Sequence, residues 1–234
     1  LKLGGERREL TIFFSDLQGF TTLSEMLTPE ELTTLLNEYL SAMTDIIQEE
    51  GGTIDKYEGD AIIAFWNAPL EQGDHALRGV RAALRCQAAL AALRPAFRQR
   101  AGKDLYMRIG MNSGPAVVGN MGSRTRFDYT MLGDAVNLAA RLEGVNKQFR
   151  TYTMISAATV AKLGGAFPMR ELARVAVVGR KEPVTVYEPM LPEAHTAARP
   201  LLDSFAEALR SFYAGRFAEA AELFARTAGE DPPA

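Results

Sequence analysis

Apolar residues between Thr28 and Glu50 recur at Leu32, Leu35, Leu36, Tyr39, Leu40, Met43, Ile46 and Ile47. That three-and-four spacing is one face of an α-helix. Thr28 as N-cap, Pro29 at the first helical position and Glu31 at the third open it, and Gly51-Gly52 close it. The face predicts packing and no chemistry. Shorter β-rich runs predict strands. Residues 9–15 read as a buried strand, and residues 53–66 as two strands about a turn at Glu58-Gly59. Residues 106–112 read as a strand turned by Ser113-Gly114-Pro115 and resumed over 116–119. A polar loop over 120–126, long enough to project as an arm, precedes a strand at 127–132. A short strand follows at 153–155, and a hairpin over 169–178 and 184–187 around Gly179. Helical patterns cover 74 to about 96, a segment starting with Asp134 as N-cap, and 156–163, which ends at Gly164-Gly165. Alternating strands and helices predict a layered domain. From Pro200 the pattern changes to two amphipathic, Ala/Phe-rich helices, 201–213 and 217–226. They resemble a single tetratricopeptide unit, which cannot bury its own face and must pack on something else.

Composition narrows the class. The 234 residues are 47% hydrophobic and 24% charged, ordinary for a globular chain with a sizeable core. A net charge of −3 gives no global electrostatic case for nucleic acid or membrane. The basic stretch 94–103 lacks the interleaved aromatics of a nucleic-acid surface. The one cysteine, Cys86, permits no intramolecular disulfide and fits a reducing compartment. His75 and His195 are too isolated for a histidine metal site and read as surface residues. No stretch has the length and purity of a transmembrane helix, and no signal peptide is visible. The chain begins at Leu1 rather than Met, which suggests a piece of a longer protein with an upstream segment.

Candidate chemistry gathers at strand ends. Asp16 closes the first strand and precedes Leu17-Gln18-Gly19-Phe20-Thr21, a loop that leads into a helix start. Such a place offers a metal ligand beside backbone amides suited to phosphate, or simply a helix cap. Lys56 and Asp60 bracket the Glu58-Gly59 turn. They suit a nucleobase or phosphate and a divalent cation, or merely solubility. Arg108 lies within a strand, where a guanidinium needs an anion or an edge. Asn137 and Arg141, four apart, project from one helical face.

Taken in order, FFSDLQGF, TIDKYEGDAIIAFW, MRIGMNSG and FDYTMLGDAVNLAARLEG resemble the catalytic domain of a class III nucleotidyl cyclase. The likeness is to bacterial adenylate cyclases whose catalytic domain follows a membrane-bound sensor. It covers residues 6–190, with the helical hairpin at 200–229 outside it. The resemblance implies an α+β fold, a ferredoxin-like sandwich with a mostly antiparallel sheet and helices mainly on one side. It also implies a head-to-tail homodimer with active sites at the interface.

By position, Asp16 and Asp60 match the family's metal-binding aspartates, and Lys56 and Thr130 the pair that reads the purine. Asn137 matches the ribose-orienting residue, Arg141 the transition-state residue, and Arg108 a phosphate-contacting arginine. The loop of Leu17, Gln18, Gly19, Phe20 and Thr21 matches one that gives a backbone carbonyl, from Leu17, to metal and backbone amides to phosphate. The implied reaction turns ATP into 3′,5′-cyclic AMP and pyrophosphate. Two Mg²⁺ per site, with Mn²⁺ as substitute, would assist attack of the ribose 3′-hydroxyl on the α-phosphate. Lys56 can only donate, which suits adenine N1, and the Thr130 hydroxyl can accept from the 6-amino group. Family guanylate cyclases place Glu and a Cys- or Ser-like residue at these positions. Thr at position 130 is typical of a bacterial subgroup that includes bicarbonate-responsive members.

One departure stands out. Where the family often carries Lys-Gly-Lys, this chain has Val178-Gly179-Arg180, leaving Arg180 or Lys181 to stand in for the first lysine. The alternative to an active enzyme is a catalytically silent nucleotide-binding regulatory module. The expected location is the cytoplasm, on the cytoplasmic face of a membrane if a membrane sensor precedes the domain.

Overall fold

The computed structural model describes residues 3–180 and 182–229. Strand β1 (Gly4–Leu17) leads through the short α1 (Phe20–Met26) into α2 (Pro29–Glu49). The hairpin β2 (Thr53–Glu58) and β3 (Ala61–Trp66) follows, then α3 (His75–Ala101). Next come β4 (Met107–Gly122), β5 (Phe127–Leu132), α4 (Asp134–Phe149), β6 (Thr153–Ser156) and α5 (Ala157–Val160). β7 (Met169–Val175) and β8 (Val184–Pro189) complete the sheet, and α6 (Pro192–Ala197), α7 (Arg199–Tyr213) and α8 (Phe217–Ala228) end the chain.

The sheet order is β2-β3-β1-β4-β6-β8-β7, with β5 also on β4. Only the β4–β6 pairing is parallel among the described residues. The run β1-α2-β2-β3-α3-β4, with strand order β4-β1-β3-β2, is the expected ferredoxin-like unit. Strand alternation divides its side chains between two cores. Phe13, Ile62 and Trp66 face α2 and α3, meeting Leu35, Tyr39, Met43, Val80 and Leu90. Leu10, Ile12, Ile63 and Phe65 face the other way, against Met131 of β5 and Ala135 and Ala139 of α4. The two longest helices thus share one face and α4 covers the other.

The capping box at Thr28 is present, with Glu31 N–H donating to Thr28 Oγ1 at 3.3 Å and Thr28 N–H to Glu31 Oε2 at 2.9 Å. Elsewhere the tertiary context overrides local signals. Ser113-Gly114-Pro115 makes no turn. β4 runs straight through it, with Gly114 opposite Leu10 and Pro115 opposite Glu9. The other edge of β4 is paired by β6 only over Ile109–Met111 and by β5 only from Val117, so Pro115 sits where that edge has no partner strand. Residues 120–122 belong to β4, and the supposed arm is the tip of a β4–β5 hairpin. Helix α3 continues past Ala96 to Ala101. His75 is buried, not on the surface: Thr11 Oγ1 lies 2.7 Å from its Nδ1 and 2.7 Å from Ser113 Oγ. His195 is half-buried.

The C-terminal helices do find a surface to cover. Leu201, Leu202, Ala208 and Leu209 are buried, Tyr213 Oη donates to Glu171 Oε1 at 2.9 Å, and Arg170 stacks over Phe205. Among the described residues no helix is long and apolar enough to cross a membrane.

Candidate active site

The antiparallel register sets Asp16, at the end of β1, opposite Arg108 of β4. Arg108 donates to both Asp16 oxygens, Nε to Oδ1 at 3.1 Å and Nη2 to Oδ2 at 3.0 Å, a bidentate pair. Glu143 of α4 joins them, its Oε1 lying 3.5 Å from Arg108 Nε. Gly110 makes this approach possible. A Cβ there would stand 2.0 Å from the Glu143 nitrogen, so only glycine lets α4 settle onto β4 at this point. Burial, together with the hydrogen bond and charge of Asp16, pushes the Glu143 carboxyl up to about 8. Burial also pushes Asp16 up, but the hydrogen bond from Glu143 and the Arg108 guanidinium outweigh it and hold Asp16 below the ordinary carboxylate range.

The β2–β3 turn brings in the second aspartate. Glu58 pairs with Ala61, so the two-residue loop is Gly59-Asp60 rather than Glu58-Gly59. Gly59 takes φ 61°, the positive value such a loop requires. Asp60 Oδ2 accepts from the Leu17 amide at 2.6 Å, which ties the hairpin to the end of β1. Burial raises the Asp60 pKa, and the nearby Asp16 charge adds to it. Asp16, Asp60 and the end of β1 thus form one carboxylate corner. Among the described residues there is no group of three or more potential side-chain metal ligands. Two hard carboxylates beside a backbone carbonyl fit Mg²⁺, which keeps waters and shares its sphere with substrate phosphates.

A second set forms in the middle of β2. The ladder slips between Ile54, opposite Ala64, and Lys56, opposite Ile63, leaving Asp55 as the extra residue of a bulge. Thr130 of β5 donates its hydroxyl to Asp55 Oδ2 at 2.6 Å, and Lys56 Nζ lies 3.6 Å from Asp55 Oδ1. Burial raises the Asp55 pKa, while Thr130 and Lys56 oppose the rise. The two expected purine readers, from different strands, therefore meet at one carboxylate.

The remaining residues line α4 and the loops. Gly133, not Asp134, is the N-cap of α4, and Asp134 is its first residue. Asn137 and Arg141 are exposed on this helix, and Arg141 Nη1 donates to the Val178 carbonyl. Arg180 Nη2 donates to Asp134 Oδ2 at 2.5 Å, and Lys181 lies outside the described residues. In the loop after Asp16, the Leu17 amide is taken by Asp60 and the Gln18 amide by the Tyr106 carbonyl at 2.8 Å. Gly19, with φ 72°, is the N-cap of α1, so Phe20 and Thr21 stand in the first turn, whose amides lie outside the helical ladder. Asp16 caps no helix.

Sequence reasoning missed Asp55 and Glu143. An acid in the middle of the apolar run TIDKY was a signal for the first. For the second, the signal was an acid two residues after Arg141 on a helix otherwise apolar toward the sheet.

A model of the adenylate and guanylate cyclase catalytic domain matches residues 5–188. Adenylate cyclase 1 of Rhizobium meliloti is 37% identical over 182 residues, which are 78% of this chain and 27% of that protein. An adenylate cyclase of Anabaena cylindrica is 37% identical over 188 residues, 77% of this chain and 36% of that one. The chain thus spans about a third or less of the curated relatives it matches. Among solved structures, the adenylyl cyclase CyaB from P. aeruginosa superposes with TM-score 0.75 at 37% identity, covering 81% of this chain and 97% of that one. The guanylyl cyclase Cya2 superposes with TM-score 0.73 at 38% identity, covering 80% and 94%. Likeness over the whole domain therefore does not choose between the two purines.

Proposed function

This chain belongs to the adenylate and guanylate cyclase catalytic domain family, and we propose that it is an adenylate cyclase, forming 3′,5′-cyclic AMP and pyrophosphate from ATP. The observation that carries this reading is the meeting of Lys56 and Thr130. A donor-only ammonium and a hydroxyl able to accept suit the adenine edge, which offers an acceptor at N1 and a donor at the 6-amino group. Guanine offers the reverse.

The other residues take their roles from chemistry. Asp16 and Asp60, with the Leu17 carbonyl, would hold two Mg²⁺, which when bound lower the pKa of the attacking hydroxyl and offset the triphosphate charge. Arg108 would exchange the Asp16 carboxylate for substrate phosphate, keeping an anionic partner throughout. Asn137 would hold the ribose in attack geometry, and Arg141 would meet charge growing on the α-phosphoryl oxygens. Arg180 would stand in for the missing lysine by leaving Asp134. We further propose that each site is shared by two chains arranged head to tail. Asn137 and Arg141 lie exposed in one chain, as does Val178, whose carbonyl Arg141 meets, and Tyr57, Val117 and Leu132 leave further apolar surface on β2, β4 and β5. The test is purified protein with Mg-ATP or Mn-ATP. Cyclic AMP that disappears in Asp16→Ala is expected. No cyclic AMP from the unmodified protein with either metal would overturn the reading.

A further inference from the structure

A threonine hydroxyl alone cannot tell adenine from guanine. It carries one proton to donate and two lone pairs that accept. It can rotate to accept from the adenine 6-amino group or to donate to the guanine 6-oxo group. Something must fix its polarity if position 130 is to discriminate. The structure supplies a partner of the right kind: the Thr130 proton points to Asp55 Oδ2 at 2.6 Å, a short bond to a carboxylate.

We propose that Asp55 is a positioning residue for base specificity, which takes up the Thr130 proton and so leaves that hydroxyl only as an acceptor toward the nucleobase. This rests on the adenylate cyclase reading above. Three features set Asp55 apart from a chance surface acid. It sits on a β-bulge, a device that re-aims a side chain and here turns two consecutive residues, Asp55 and Lys56, to common use. Its side chain is 3% exposed. Its Oδ1 is buried with no hydrogen-bond partner and only the Lys56 ammonium 3.6 Å away. Burying a carboxylate so incompletely paired is unfavourable. The arrangement makes sense if one carboxylate serves both readers. It steers the Lys56 ammonium by charge and the Thr130 hydroxyl by hydrogen bond. Together they present a donor and an acceptor in the order adenine requires.

The experiment compares unmodified protein, Asp55→Asn, Thr130→Val and the double variant. It measures kcat and KM for Mn-ATP and Mn-GTP, binding of non-cyclisable ATP and GTP analogues, and thermal melting. Asn keeps the shape of Asp but can donate as well as accept, so it no longer fixes the hydroxyl. The ratio of kcat/KM for ATP over GTP, and the ratio of the binding constants, should fall about 10- to 100-fold in Asp55→Asn, as expected for losing one oriented polar contact. In the Thr130→Val background the same change should move the ratio clearly less than in the unmodified protein, because the hydroxyl is gone and only the pull on Lys56 is left to alter. A parallel loss for both nucleotides, an unchanged ratio, or an equal effect without Thr130 would overturn the proposal. If Asp55→Asn does not fold, Thr130→Ser and Thr130→Val decide. Ser keeps the bond to Asp55 and should keep the preference, Val should weaken it to what Lys56 alone supplies, and a preference undiminished in Val refutes the idea. Binding separates this inference from the proposed activity. An ATP preference without turnover would sink the activity and leave the specificity test standing. Binding of neither nucleotide would sink both.

Discussion

Replacing Arg108 by methionine should make the fold depend on divalent cation. Arg108 answers the charge of Asp16 through two hydrogen bonds of 3.0 and 3.1 Å, beside Asp60 and Glu143. Breaking a fully buried ion pair by removing one partner costs roughly 3–5 kcal/mol. Here Arg108 is 11% and Asp16 27% exposed, so solvent takes up part of the loss and about 2 kcal/mol is a fair figure. For a chain of this size that is a fall in Tm of about 4–8 °C. Methionine keeps most of the apolar stem, so the loss measures charge rather than volume. In the unmodified protein a cation must compete with Arg108 for Asp16; in the variant that guanidinium is gone, and the charge of Lys147 is what remains to offset Asp16. Melting with 10 mM Mn²⁺ against a chelator should therefore raise the Tm of Arg108→Met by several degrees more than that of the unmodified chain. A site with a dissociation constant of about 1 mM would contribute about 1.4 kcal/mol in the variant. Equal cation-induced shifts in the two proteins would refute the competition, and no loss of Tm without metal would refute the ion pair's contribution.

Other outcomes follow from the same corner. Gly110→Ala would drive a Cβ to 2.0 Å from the Glu143 nitrogen and 2.6 Å from the Ala139 carbonyl oxygen, both backbone atoms. It should cost more than about 3 kcal/mol, seen as a large fall in Tm or failure to purify as a folded protein, whereas Gly144→Ala, with open space around it, should not. Glu143 binds its proton more tightly folded than unfolded. Its contribution to stability is therefore complete below about 4.5 and is lost as pH rises through about 8. The slope from this group is at most about 1.4 kcal/mol per pH unit. Glu143→Gln should flatten stability against pH over that window in denaturant titrations, and an unchanged slope would contradict the assignment. Arg141→Ala should lower kcat about 100- to 1,000-fold with little change in KM, the mark of a group used only in the transition state.

Much of this molecule is written locally. The Thr28-Pro29-Glu31 cap and the Leu35-Tyr39-Met43-Ile47 stripe specify α2 without help from the rest of the chain. The runs at 53–58 and 61–66 specify the hairpin, though not its loop, because Asp60 is drawn into the turn by the Leu17 amide. What escapes a linear reading is set by partners far along the chain. Pro115 reads as a turn until β1 is seen pairing with β4 from end to end. His75 reads as surface until Thr11, itself held by Ser113 of the neighbouring strand, is brought to it. Family motifs pointed to Asp16, Lys56, Asp60 and Thr130, and the structure brings Asp16 and Asp60 to one carboxylate corner and Lys56 and Thr130 to the Asp55 carboxylate. Asp55 and Glu143 stayed hidden, since their work lies in what they hold: one a hydroxyl on another strand, the other a guanidinium beneath its own helix.

The proposed cyclase site is built from two chains, with Asp60 serving one site and Lys56 of the same hairpin serving the other. Asp60→Ala and Lys56→Ala proteins should each be inactive alone. Mixed under conditions where subunit exchange is demonstrated, they should form heterodimers in which one of the two sites has every residue in place, and cyclic AMP production from ATP should return in part. No recovery despite proven exchange would contradict the shared site.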